Sequence, residues 1–154
     1  MRLTFTKGRG KYDRLDIVTD TGPQPTIECP KQGIIPHEMV HFVVEVEVGT
    51  PGFLGGIAAG GDSGFAAGVD DTHARAVERL VETVQAEAWA GVPTPDADFI
   101  AIYRLTCEAR GDAPLDFDAT TLAAIRARLL ALTAQWADVA VGGTLMLVLP
   151  ASRG

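Results

Sequence analysis

His37-Glu38-Met39-Val40-His41 is the segment whose residue types and spacing can do chemistry. Two histidines four residues apart on a helix stand one above the other on one face. Their imidazoles can share a metal ion, and a glutamate directly after the first histidine can polarise a water on that ion. The competing reading is structural. Histidines at a helix start can bond neighbouring side chains or carbonyls, with Glu38 in the first turn, where the helix dipole favours a negative charge.

A catalytic metal site normally has three protein ligands and one open position. His73, the only other histidine, opens the next long helix and is the expected third ligand. Asp62, Asp70 and Asp71, in or after a glycine-rich connection, and Glu78 on that helix are further candidates. Glu45 falls on nearly the same helix face as His41. It lies about 12 Å along the axis from His37, too far for all three to hold one ion. Cys29 would complete a Cys-His-His set, although a buried free thiol is the commoner state of such a cysteine.

The His-Glu-x-x-His pattern resembles the core motif of the zinc metallopeptidases known as zincins, over these five residues alone. The resemblance implies zinc held by His37, His41 and one more ligand. It also implies Glu38 as general base and hydrolysis of an amide or related bond in a peptide or small molecule. Zincins of the glutamate-ligand type place that ligand on a later helix, which Glu78 would match. Two departures stand beside the likeness. Pro36 sets His37 at the very start of its helix, whereas zincins carry the motif inside a longer one, and no helix signal precedes the first strands.

A second resemblance covers more residues. Ile35-Pro36-His37-Glu38-Met39-Val40-His41-Phe42-Val43-Val44-Glu45, followed by Gly52-Phe53-Leu54-Gly55, is similar to a group of small uncharacterised bacterial proteins with a Pro-His-(Asp or Glu)-x-x-His segment. The place of Glu38 is often aspartate in that group. The resemblance implies a shared role for His37, His41 and Glu45, as ligands or as a hydrogen-bonded polar cluster. The alternative function is therefore a non-enzymatic protein whose His/Glu cluster is structural or an interaction surface.

The elements that must position these residues read as α+β, with a small antiparallel sheet from both chain ends and about five helices. Arg2 to Thr6 and Arg14 to Val18 alternate like hairpin strands around a basic tip at Lys7-Gly8-Arg9-Gly10-Lys11. A short strand is expected over Pro25 to Cys29, and the apolar run Thr144 to Leu149 suits a strand buried on both faces. Pro36 and Gly49 frame the histidine helix, although Val43 to Val48 is β-branched enough to form a strand. Thr50-Pro51 and Thr94-Pro95 read as helix caps. Asp70 or Asp71 opens a helix ending at Gly91, and Asp116 or Asp118 opens the last, with Leu122, Ile125, Leu129, Leu132 and Trp136 on its core face. Gly52, Gly56, Gly60, Gly64 and Gly68 recur every four residues, which suits a flat face for close packing against a neighbour such as the histidine helix, the alternative being a mobile lid over a site. Trp89, Trp136, Tyr103 and Phe99 are expected to pack in the core.

The 154 residues fit a single domain over 1–154, with 47% hydrophobic residues. A net charge of -7 argues against general nucleic-acid binding, which rests on neutralising phosphates. Cys29 and Cys107 are too few for a disulfide scaffold and read as reduced thiols. No charged-then-apolar leader opens the chain, and no apolar run reaches the roughly 20 residues that span a bilayer. The expectation is a cytoplasmic protein without membrane contact, with a homo-oligomer left open. The two serines, Ser63 and Ser152, lie outside any nucleophile elbow.

Overall fold

Alternation sets the sheet. Leu3 and Phe5 in β1 (Arg2–Thr6) and Leu15 and Ile17 in β2 (Tyr12–Thr19) turn to one side and are buried, while their neighbours face outward. The computed structural model describes residues 1–60 and 71–151. Within them β1 and β2 pair antiparallel, with Arg2 opposite Val18 and Thr6 opposite Arg14. β3 (Gly22–Pro23) and β4 (Ile27–Pro30) both pair with the far edge of β2. β5 (Thr144–Val148) returns from the chain end to pair antiparallel with β1. The expected third strand thus forms slightly later in the chain, after a two-residue strand.

The run at 144–149 does not become a strand buried on both faces. β5 is the sheet's edge, and Met146 and Val148 are more than half exposed on its outer face, while Leu145 and Leu147 lean inward. Continuous apolar sequence cannot separate a central strand from an edge strand whose outer side chains stay wet.

Five helices follow: α1 (His37–Val48), α2 (Phe53–Ala58), α3 (Asp71–Ala90), α4 (Asp96–Ala109) and α5 (Ala119–Ala137). The β-branched run after His41 is helical because it sits inside α1, whose residues Met39 to Glu45 are all buried. A helix buried on every side has no polar face to show, and tertiary packing overrides the local preference of valine. α1 lies against α2, α3 and α5, and shares one core with the inner face of the sheet. Gly49 ends it in the left-handed conformation (φ 69°) and donates its N–H to Glu45 O at 3.1 Å. Asp118 caps α5 by accepting the Thr121 N–H at 2.8 Å.

The glycine series contributes a short α2 packed on α1, and Gly64 and Gly68 lie outside the described residues. Of the four aromatic residues expected in the core, Phe99, Tyr103 and Trp136 are buried, but Trp89 is 54% exposed. No described helix is long and apolar enough to cross a membrane.

Tyr103 on α4 ties the segment before α5 to α3, the helix that carries Glu78. Its ring is fully buried, and its hydroxyl donates to Ala76 O (3.0 Å) and accepts the Leu115 N–H (2.9 Å). Tyr103→Phe leaves the Leu115 N–H without its acceptor and removes from Ala76 O the bond it accepts beyond its helical one, and should cost about 1–3 kcal/mol. Thermal unfolding followed by circular dichroism should show a lower midpoint, and an unchanged midpoint would contradict this role.

Candidate metal centre

Pro36 ends the β4–α1 connection with no helical N–H to lose, so α1 begins directly at His37. One turn later His41 stands above it, with ring centroids 4.8 Å apart and the rings nearly perpendicular. α3 brings Glu78 across. His37, His41 and Glu78 each offer one ligand atom, and these atoms lie within 4.8 Å of one another. A tetrahedral ion with bonds of about 2.1 Å holds its ligand atoms roughly 3.4 Å apart, so small side-chain shifts would close the group on a metal.

Both imidazoles are oriented from behind. Gln85 Oε1 accepts a hydrogen bond from Gln32 Nε2 (2.9 Å), so His37 Nδ1, also at 2.9 Å, is a donor to the same oxygen. His41 Nδ1 faces Glu45 Oε2 at 3.1 Å. Glu45 also accepts the backbone N–H groups of Gly52 (2.7 Å), Leu54 (3.1 Å) and Gly55 (2.8 Å), so here too the ring nitrogen donates. Both Nε2 atoms are thereby turned to Glu78: His41 Nε2 lies 2.7 Å from Oε2 and His37 Nε2 lies 3.4 Å from Oε1. Fixing one ring nitrogen to an outer acceptor is how proteins set the tautomer of a metal-binding histidine.

The electrostatics follow from that wiring. Burial works against a charge on His41, but the hydrogen bonds and charges of Glu45 and Glu78 outweigh it and raise its pKa to about 9. The bond to Glu78 raises the pKa of His37 against burial and the neighbouring His41. Burial would raise Glu78, yet its bonds to both histidines hold it well below the usual carboxylate range. In the metal-free protein at neutral pH, a proton therefore lies between His41 Nε2 and Glu78. His41 is buried, whereas the His37 and Glu78 side chains are each about one-third exposed (34% and 32%), so the group opens to solvent on one side.

Glu38 has a different surrounding. Its Oε2 is buried and bonded to no protein atom. The Cys29 thiol, buried on β4, is pushed up by burial and further by the charge and hydrogen bond of Glu38. Cys29 is thus a free buried thiol beside Glu38, outside the ligand group.

Of the expected ligands, the fold unites His37 and His41. The third member of the group is Glu78 rather than His73. His73 is exposed in the first turn of α3, five residues before Glu78, and a helix turns about 140° over that interval. Asp62 and Asp70 lie outside the described residues. Gln85, Gln32 and the amides that bind Glu45 went unread in the sequence. Gln85 had a signal, because seven residues after Glu78 is two turns along the same face.

The expected cap at Thr50-Pro51 is replaced by a longer-range one. α2 starts at Phe53, and Glu45 takes the free N–H groups of its first turn. Gly52 permits that approach: a Cβ there would lie 2.6 Å from Val77 Cγ1 and 3.1 Å from Glu45 Cδ. Gly52→Ala should therefore move α2 off Glu45, lowering stability by about 1–3 kcal/mol. Gly10→Ala, whose Cβ meets nothing within 4 Å, is the control. Equal denaturation midpoints for the two variants would refute the close approach.

Comparison with protein-family models, curated proteins and solved structures gave no match to this chain.

Proposed function

We propose that this protein binds zinc through His37, His41 and Glu78 and hydrolyses an amide or related bond. The observation that carries this reading is the orientation of the two imidazoles. Each Nδ1 is tied to its own outer acceptor, and each Nε2 is aimed at the same carboxylate. Two nitrogens and one carboxylate, open to solvent on one side, form the ligand set of a hydrolytic zinc site with a free position. A zinc ion bound there supplies a water of pKa near 7 and a centre that polarises a carbonyl.

The chain's own residues do the rest. Glu38, next to His37 on α1, would act as general base for that water, a role that requires its carboxylate to turn out of the buried position it holds beside Cys29. As the water oxygen bonded to the carbonyl carbon and the C–N bond broke, Glu38 would return that proton to the leaving amine. Glu45 and Gln85 hold the imidazole rings throughout.

A second reading is favoured by one feature. His37, His41 and Glu78 already satisfy one another without an ion, as a structural polar cluster linking α1 to α3 would. Metal content separates the two. Elemental analysis of untagged protein should find close to one zinc per chain, and none in the His37→Ala/His41→Ala variant. Glu45→Gln should weaken zinc binding by about 10- to 100-fold. Glu38→Gln should keep the zinc while lowering the rate of peptide hydrolysis by about 10²- to 10⁴-fold. A parent protein that neither carries nor takes up zinc would leave the structural reading standing.

Zinc uptake should also displace protons. His41, raised to about 9, holds a proton on Nε2 at neutral pH, and this proton must leave before the nitrogen can bind metal. Glu78, already held in its ionised form, has none to give. Affinity should therefore rise about tenfold per pH unit for that one proton and level off once the pH passes about 9. Calorimetry in two buffers of different ionisation enthalpy should show at least one proton released per zinc near neutral pH. Zinc binding without proton release would mean that His41 is neutral in the metal-free protein.

A further inference from the structure

The exposed Trp89 lies on the α3 face that carries the candidate metal centre. Counting from Glu78, Gln85 falls two turns on and Trp89 three turns on, all within about 20° of one line along the helix. Glu78 is the proposed ligand, Gln85 orients His37, and Trp89 is bound to the same chain of contacts. Its indole Nε1–H donates to Gln32 O at 2.8 Å, and Gln32 in turn donates to Gln85. The tether fixes the ring at one edge, yet 54% of the residue remains exposed. A large aromatic surface held still and left wet has a contact surface ready without the entropy cost of ordering it.

Resting on the zinc hydrolase reading, we infer that Trp89 is a substrate-contacting residue. It packs against an aromatic or branched apolar side chain of an extended peptide whose scissile bond lies at His37, His41 and Glu78. The eleven residues from Glu78 to Trp89 span about 16 Å along α3. An extended peptide advances about 3.3 Å per residue, so the recognised side chain lies four to five residues from the bond cut. Between the two points the line itself is closed by Gln32 over the buried Gln85, and the accessible route runs to one side, past the half-exposed Glu82, about 40° round the helix, and the exposed, small Ala86, about 80° round it.

The test uses zinc-loaded full-length protein and alanine-based peptides with a hydroxamate at one end, which anchors that end on the metal. Single phenylalanines are placed one to six residues from the hydroxamate, in one series with the hydroxamate C-terminal and in another with it N-terminal. In one series, affinity by calorimetry should peak about tenfold when phenylalanine is four or five residues away. The peak should vanish in Trp89→Ala and persist in Trp89→Phe, which keeps the ring and loses the tether. Zinc affinity without peptide should be retained in Trp89→Ala. A profile flat along both series, or a peak indifferent to Trp89→Ala, overturns the inference while leaving the hydrolase reading intact. Loss of zinc in Trp89→Ala overturns it in favour of a role confined to holding Gln32. A parent protein that takes up no zinc, or ignores acetohydroxamate once loaded, overturns both.

Discussion

The Glu45 carboxylate is the contact on which the site and its surroundings depend. It is buried, four residues after His41 on α1, and it accepts four hydrogen bonds: three from the first turn of α2 and one from the His41 ring. One side chain thus caps the start of α2, joins it to α1 and fixes which nitrogen of His41 faces outward. Without its acceptor, each of those buried N–H groups would cost about 1–3 kcal/mol. That sum is a large part of the 5–15 kcal/mol by which a domain is ordinarily stable. The glycines around it follow from the same need, since the amides at Gly52 and Gly55 reach the carboxylate only where no Cβ intervenes.

From Glu45 outward, the arrangement is a competition between protons and a cation for the same nitrogens. Glu45 and Glu78 face opposite nitrogens of the buried His41 ring, a setting that favours positive charge between them. A proton meets that demand in the metal-free protein, and a divalent ion would meet it more fully by engaging His37 as well. The outer contacts to Gln85 and Glu45 do not have to change between the two states. The same wiring therefore holds the fold together without metal and leaves the Nε2 atoms positioned for one, which is the preorganisation a binding site needs.

Much of this was legible in the residues. Pro36 and Gly49 framed α1 correctly, and the i, i+4 histidines converge because that helix forms. The alternation of β1 and β2 gave the hairpin, and the aliphatic positions of α5 gave its core face. What was not legible depended on tertiary neighbours. His73 is the obvious ligand by residue type, but helix rotation turns it away from Glu78, and only the packing of α3 on α1 decides which residue faces the histidines. The apolar run of β5 says nothing of its place at the sheet edge. Trp89 fits a core position by spacing, yet it is held through its indole N–H to Gln32 O and stays 54% exposed. Thr50 looked like the cap of α2 because a carboxylate arriving from α1 has no local signature.

Three glutamates meet the histidine segment, and their different satisfaction bears on what the cluster is for. Glu45 has both oxygens fully used, and Glu78 divides its two between the histidines. Glu38 leaves Oε2 buried with no protein partner. A buried unpaired acceptor costs on the order of 1–3 kcal/mol, and a cluster that served only to join α1 to α3 gains nothing from it. The linking work is complete with His37, His41, Glu45, Gln85 and Glu78. Glu38 stands outside that linking work: its carboxylate lies beside the buried Cys29 thiol of β4, whose pKa its charge and hydrogen bond push up further than burial alone.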